Sequence, residues 1–528
     1  MAVRVSVAAG LAAIVLASGS AHAAPPPNLD AQVEALRTAY GVPGMAVTVV
    51  EDGKTVVARG YGVRKLGAPE KVDAHTIFPI ASTGKAITTA ALATLVDQGR
   101  IGWDDKVIEH LPWFQMYDPW VTREMTVRDI LVHRSGLGLG AGDLLFVPRS
   151  NLSRKESVRR LRYIKPATSF RSGYAYDNVL YMVAGQLIEE VTGQTWEAYV
   201  RDHVLKTAGM ADSTTDDEHR FAVADRAYPH ARLNGAFRGL GDQELLDERD
   251  SLGRNSAPAG GVAVSPADMG RWLSIQLAHG ALPEGKGRLF SEAQSAEMWT
   301  PQVHTPIDQF PGALAPATPQ FESYALGWFV RDYRGHKIIT HDGADLGFRA
   351  VVVLIPEKSV AFAIQSNSED GVPLVATMYE LLDHYLGLGD IDWAAAWGDF
   401  KKQRVAAAVE MLKAKEAAPA KVGPSLPVER YAGDFADPWY GPISLTARGG
   451  RLVLDFKGTP NLTGTLEHYQ YDTFKVRWND KGMEPAYITF GLGADGKVER
   501  ITMKAVSPAA DFSYDYQDLL FTPVAAKP

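Results

Sequence analysis

Ala81-Ser82-Thr83-Gly84-Lys85-Ala86 follows the apolar run Ile77-Phe78-Pro79-Ile80 and opens an alanine-rich segment, Ala86 to Val96, that reads as a buried helix. Ser82 and Lys85 are three residues apart, so on a helix they share a face one turn apart. A serine hydroxyl is a poor nucleophile until a neighbouring base takes its proton. A lysine can be that base when desolvation or nearby charge lowers its pKa. A helix N-terminus also favours the negative charge that develops during attack. The pattern points to a Ser-x-x-Lys acyl-transfer site. A chain of this composition holds on the order of one such pattern by chance, so the surrounding sequence has to decide.

Downstream of this stretch, Thr126-Val127-Arg128-Asp129 resembles a capping box and leads into Ile130 to Leu137, which contains His133. A lone histidine in such a run reads as a structural hydrogen-bonding residue before a catalytic one. Gly136, Gly138, Gly140 and Gly142 form a loop without the strand or spacing of a nucleotide site. Asn151 to Tyr163 carries Arg154, Lys155, Arg159, Arg160 and Arg162 and reads as a solvated helix face, with a substrate-carboxylate patch as the alternative. Tyr176-Asp177-Asn178 stands just before an apolar helix, Val179 to Val191. A tyrosine hydroxyl can relay protons, and an asparagine amide can bond both a lysine and a substrate carbonyl. Met210 to Asn255 reads as long loops able to rim a site, and Pro301 to Phe321 as another loop. Ser265-Pro266-Ala267-Asp268 is a strong helix start.

Strands are expected at Met45 to Val50 and Thr55 to Ala58, joined by a turn at Asp52-Gly53. Leu29 to Tyr40 has helical spacing before them. Further strands are expected at Tyr324 to Val330, Lys337 to Thr340, Ala350 to Ile355 and Val360 to Gln365. His341-Asp342-Gly343 follows the second of these. Gly343 lacks side-chain bulk, which lets another backbone approach. Asp392 to Lys415 reads as a charged helix, and Ala417 to Pro427 as a linker. From Val428 the pattern has period two: Leu452, Leu454 and Phe456, then Phe474, Val476 and Trp478, alternate with polar residues. That predicts a small antiparallel barrel or sandwich.

The 528 residues carry 54 lysines and arginines against 62 acids, a formal charge of −8. This balance argues against a nucleic-acid or anionic-membrane partner. There is no cysteine, so thiol catalysis, disulfides and thiolate metal sites are excluded. Val5 to Leu16 is too short to span a bilayer, and Ala21-His22-Ala23 offers the small residues a signal peptidase reads. Residues 1–23 are therefore expected to be a signal peptide cleaved after Ala23, and the mature chain periplasmic or secreted with no membrane span.

Taken in order, these elements resemble the penicillin-recognising serine hydrolases. The nearer branch is that of the class C β-lactamases, D-aminopeptidases and esterases. Ser82-Thr83-Gly84-Lys85 matches that family's first motif, Tyr176-Asp177-Asn178 the second, and His341-Asp342-Gly343 the third. Thr126 to Leu137, Gly260-Gly261 and Leu326-Gly327-Trp328 match its scaffold landmarks. The resemblance implies an α/β (α+β) fold, a β-lactamase/transpeptidase-like antiparallel sheet flanked by helices with a helical subdomain, over residues 24–390. A helix and linker (391–427) and a lipocalin-like β-barrel (428–528) follow. It also implies roles. Ser82 is the nucleophile, and Lys85 and Tyr176 share base and relay work. Asn178, His341, Gly343 and Ala344 bind substrate, with the backbone N–H groups of Ser82 and Ala344 as oxyanion hole. No metal or cofactor is implied. His341 stands where many β-lactamases carry lysine, and a histidine is mostly neutral at pH 7. This favours a small-molecule or peptide substrate with an amide bond, including D- or non-protein residues, over an antibiotic. An esterase or weak β-lactamase is the alternative within the family, and a non-catalytic binding or sensor protein the alternative outside it. The barrel could bind a hydrophobic ligand, shape the active site, mediate oligomerisation or add stability.

Overall fold

The computed structural model describes residues 24–250, 252–389, 391–416 and 420–524. The expected signal peptide and its cleavage point lie outside them.

Eight antiparallel strands form the main sheet. In chain order they are β1 (Gly44–Glu51), β2 (Lys54–Gly62), β3 (Val303–His304), β4 (Glu322–Tyr324), β5 (Phe329–Tyr333), β6 (His336–Asp345), β7 (Phe348–Ile355) and β8 (Val360–Ser366). They lie side by side as β2-β1-β8-β7-β6-β5-β4-β3. The β1–β2 hairpin turns at Asp52 and Gly53, both with positive φ, as the Asp-Gly pair predicts. Runs such as Val351-Val352-Val353-Leu354 are apolar on both faces because both faces are covered. On one face lie α1 (Leu29–Ala39), α5 (Val372–Leu386) and α6 (Trp393–Glu416), packed on Val47, Val49, Val351, Val353 and Phe362. On the other lies α4 (Pro266–Leu277), against β1, β2 and β8. Helices α2 (Lys85–Asp97) and α3 (Val179–Thr192) pack on each other and belong to the same apolar cluster as Val50, Val352 and Leu354. Ser265 caps α4 through the Asp268 amide, 3.2 Å away.

Three expectations need correction. The strand expected at Tyr324 to Val330 is two strands, split at Gly327. There φ is +81°, and a Cβ would stand 3.1 Å from backbone atoms of Ala86 in α2, so the chain turns where it passes the helix. The basic stretch Asn151 to Tyr163 is not a fully solvated face. Arg154 is 7% exposed, and its guanidinium pairs with Glu189 and with Glu197 at 2.5 Å. Arg160 donates to the backbone carbonyls of Trp439 and Tyr440 in the C-terminal part. The segment Met210 to Asn255 is not loop throughout: it contains a short helix, Asp217–Ala222, and a small hairpin, His230–Arg232 with Gln243–Leu245. Helix α5, an apolar run, was not anticipated.

The C-terminal part is a closed antiparallel barrel of eight strands, β9 (Gly433–Asp437), β10 (Gly441–Arg448), β11 (Arg451–Phe456), β12 (Thr463–Gln470), β13 (Thr473–Trp478), β14 (Ala486–Leu492), β15 (Val498–Ala505) and β16 (Leu520–Pro523). Period-two alternation sets its inside: Leu452, Leu454, Phe456, Phe474, Val476 and Trp478 are buried. Phe456, Phe521 and Trp478 meet edge to face within the barrel. No helix among the described residues is long and apolar enough to cross a membrane.

Candidate active site

Ser82 lies in a single 3-10 turn, Ala81–Gly84, that runs into α2. Ala81 just before it has φ +47°, a left-handed conformation that costs a residue with a Cβ and is held by its surroundings. Two glycines make that hold. A Cβ at Gly260 would stand 3.0 Å from the Ala81 carbonyl carbon, and one at Gly343 would stand 2.3 Å from the Ile80 carbonyl oxygen and 3.2 Å from the Ser82 nitrogen. Strand β6 thus runs directly against the serine turn. His341-Asp342-Gly343 lies within β6, with Gly343 opposite Ala350 of β7, rather than after the strand.

Lys85 is fully buried. Its Nζ lies 2.9 Å from Ser82 Oγ, 2.7 Å from Asn178 Oδ1 and 2.9 Å from the Ala259 carbonyl. It also stands over the rings of Tyr176 and Tyr181 at 4.8 and 5.1 Å. Burial pulls its pKa from the usual lysine range down to about 7, against the opposing pull of Asp143, Asp177 and Asp342. The amine is therefore partly neutral at neutral pH, which a base requires.

Tyr176 and Asn178 come from the segment leading into α3. The Tyr176 hydroxyl is buried with no aligned hydrogen-bond partner. Burial raises its pKa well above 10, while the neighbouring Ser82 hydroxyl pulls the other way, so it stands as an intact phenol. Asn178 Nδ2 donates to Asp143 Oδ2 at 2.9 Å. Asp177, between them, accepts from Ser135 Oγ at 2.6 Å. Its amide donates to His133 Nδ1 at 3.1 Å. The His133 ring lies tilted between those of Tyr176 and Tyr324, with centroids 4.1 and 4.4 Å away. Burial lowers its pKa well below 6.5, which fits the structural part expected of it.

His341 lies behind the site rather than in it. It is 1% exposed. Its Nδ1 faces the Asp342 carbonyl at 2.6 Å and so carries the proton, while Nε2 accepts from the Tyr324 hydroxyl at 2.9 Å. Burial brings its pKa down to about 4. It is an uncharged part of an aromatic wall, not a cation facing a substrate carboxylate.

Ser82, Asn178 and Ala344 open on a cavity of about 220 Å3. Its other walls come from the rim, through Arg238 and Leu252, and from the barrel, through Glu484, Asp511, Ser513 and Tyr514. Arg238 is clamped by Glu369, with Nη2–Oε1 at 2.5 Å and Nε–Oε2 at 2.8 Å. The barrel segment is fastened by Asp515, which accepts from the Gly142 and Leu144 amides at 2.7 and 3.0 Å. Phe512 packs 6.1 Å edge-on to Tyr176. Sequence reading missed Asp143, the Ala259 carbonyl, Tyr324 and this barrel segment. None lies in a motif, though the glycine loop at 136–142 flags the backbone beside Asp143. Elsewhere, Asp105, Glu109 and His110 bring ligand atoms within 4.8 Å of one another, but Asp105 is already engaged by the Gly102 amide and His110.

Residues 29–387 match the Beta-lactamase family, and 417–523 match DUF3471, a domain of unknown function. Among characterised relatives, the unguisins hydrolase ungD of Aspergillus violaceofuscus is 29% identical over 84% of this chain and 81% of its own. Penicillin-binding protein 4 of Amycolatopsis lactamdurans is 28% identical over 67% of this chain and 89% of its own. Among solved structures, the octameric penicillin-binding protein homologue of Pyrococcus abyssi superposes with a TM-score of 0.58 at 21% identity, covering 90% of this chain and 97% of that one.

Proposed function

The chain belongs to the Beta-lactamase family, a family of serine hydrolases, and from this premise we propose that it hydrolyses amide bonds in small peptides, including those with D- or non-protein residues, through an acyl-Ser82 intermediate. The observation that carries the reading is the buried amine of Lys85 at 2.9 Å from the Ser82 hydroxyl. In its neutral form Lys85 donates its two N–H bonds to Asn178 Oδ1 and the Ala259 carbonyl, and its lone pair receives the Ser82 proton. Ser82 Oγ then bonds to the substrate carbonyl carbon, and the carbonyl π pair moves to oxygen. The N–H groups of Ser82 and Ala344 meet that oxyanion. As the tetrahedral intermediate collapses, the C–N bond breaks and the departing nitrogen takes a proton from Tyr176, which regains one from Lys85. Water then attacks the acyl-serine by the same proton path in reverse.

Tyr176 favours amides over esters. An amine leaving group departs only when protonated, and a buried phenol beside the Ser82 hydroxyl supplies that proton. The relative named as a hydrolase of unguisins supports a hydrolase built from both parts, since it aligns over 84% of this chain. The cavity of about 220 Å3 supports a small substrate or a single side chain of a larger one. The neutral His341 gives no cation for the carboxylate of a β-lactam. The test is turnover of D-amino-acid p-nitroanilides, p-nitrophenyl esters and a penicillin by wild type and by Lys85→Ala. Anilide hydrolysis abolished by the substitution supports the reading; ester or penicillin turnover without anilide turnover overturns the amide preference.

A further inference from the structure

Asp143 follows the glycine loop and is completely buried. Its Oδ2 accepts from Asn178 Nδ2 at 2.9 Å and from the barrel's Ser513 Oγ at 2.8 Å, while Oδ1 has no partner. A continuous path therefore runs from Ser82 Oγ through Lys85 Nζ and the Asn178 amide to Asp143 and Ser513. The two ends of an asparagine amide have the same shape, so packing alone does not choose between them. Only one orientation serves Lys85. With Oδ1 towards the amine, Asn178 accepts a hydrogen bond; turned over, it would set two donors face to face. An acceptor on the far side selects the orientation, and Asp143 is that acceptor.

We propose that Asp143 is a positioning residue for the reaction at Ser82, holding the Asn178 amide with its oxygen towards Lys85, and that the barrel takes part by anchoring Asp143 through Ser513. The inference rests on the acyl-Ser82 reading above. Its chemistry is that of the base: the lone pair of neutral Lys85 faces Ser82 only while both its N–H bonds have acceptors, and Asn178 Oδ1 is one of those two. A proton on Asp143 goes to Oδ1, so Oδ2 remains an acceptor in either state and the hold survives titration.

The carboxyl has a second effect on Lys85. It is one of three acids, with Asp177 and Asp342, that favour the ammonium form against burial. The other groups facing the amine are the rings of Tyr176 and Tyr181 and the neutral His133 and His341, whose own protonation Lys85 opposes. Asp143 in turn faces Lys85, Asp511 and Asp515. An asparagine at 143 keeps an acceptor for Asn178 and Ser513 but removes the charge; an alanine removes both. Position and charge can thus be separated.

The experiment measures the second-order rate of fluorophosphonate labelling against pH for wild type, Asp143→Asn, Asp143→Ala and Ser513→Ala, with thermal unfolding of each. Labelling of wild type at Ser82 comes first; its absence overturns the acyl-enzyme reading itself, independently of Asp143. Given labelling, Asp143→Ala is expected to react about 10- to 100-fold more slowly, the cost of a misplaced catalytic group. Asp143→Asn is expected to keep most of the rate, because it keeps the acceptor for Asn178. Ser513→Ala is expected to fall between. A folded Asp143→Ala that reacts within about twofold of wild type overturns the inference. If the alanine variant does not fold, Asp143→Leu, which fills a similar space without an acceptor, decides: labelling within about twofold of wild type contradicts the assignment.

Discussion

The ε-amine of Lys85 lies 2.9 Å from the Ser82 hydroxyl in a pocket where the lysine has no exposed surface. Burial holds its pKa at about 7, and the base is the unprotonated amine. The sign follows: activity is low where Lys85 is charged and rises with pH through about 7. A profile of kcat/KM between about pH 5 and 9 checks this. Lys85→Ala is expected to lower kcat by about 10^2- to 10^4-fold, and Lys85→Arg to do the same, because a guanidinium does not lose its proton in this range.

The Tyr176 hydroxyl is expected to matter more for amides than for esters. Tyr176→Phe removes the proton donor without removing the ring contact with His133. Anilide turnover is expected to fall about 10^2-fold or more, and turnover of a p-nitrophenyl ester, whose leaving group departs as an anion, by much less. Paired rate measurements on matched acyl groups read the difference.

Changing His341 to lysine introduces the residue many β-lactamases carry, yet the expected outcome is damage, not a gain of antibiotic hydrolysis. The side chain would enter the wall formed by Tyr324 and Phe329, where the existing ring accepts from a tyrosine hydroxyl. Burying an ammonium there is expected to cost about 2 kcal/mol or more. Urea unfolding of His341→Lys against wild type measures it, and penicillin turnover is expected to stay unimproved.

The junction between hydrolase and barrel carries a pH-dependent bond. Asp515, completely buried beside the Gly142 and Leu144 amides, has its pKa pushed well above the carboxylate range by burial and by Asp143. A carboxyl raised on folding lends stability that is fully present below its unfolded value of about 3.9 and is lost as pH rises towards the folded value. Buried histidines titrate with the opposite sign, so the clean reading is a difference. Asp515→Asn is expected to gain stability relative to wild type as the pH is raised from about 5 to 8. Unfolding midpoints of the two proteins across that range test the sign.

Much of this was legible because periodicity and turn chemistry are local. The Asp52-Gly53 hairpin, the Ser265 cap and the alternation at Leu452 to Phe456 each depend on neighbours in sequence, and each took the expected form. Ser82, Lys85, Tyr176 and Asn178 carry motifs whose order along the chain anticipated their meeting. What escaped depends on distant partners. The motif places His341 towards substrate because nothing nearby in sequence shows that Tyr324 covers it. Gly327 breaks a strand because α2 passes there. Asp143 has no motif, and its bond to Ser513 joins residues 370 positions apart. Arg154 looked like one of several solvated cations until Glu189 and Glu197 closed around it.

The most direct test of the central claim is intact-mass analysis, with peptide mapping, of wild type and Ser82→Ala after exposure to a fluorophosphonate. The expected result is one adduct per chain, mapped to Ser82 and missing from the variant. An unmodified wild-type protein, or an adduct that persists in Ser82→Ala, would contradict the account of Ser82 as the activated nucleophile.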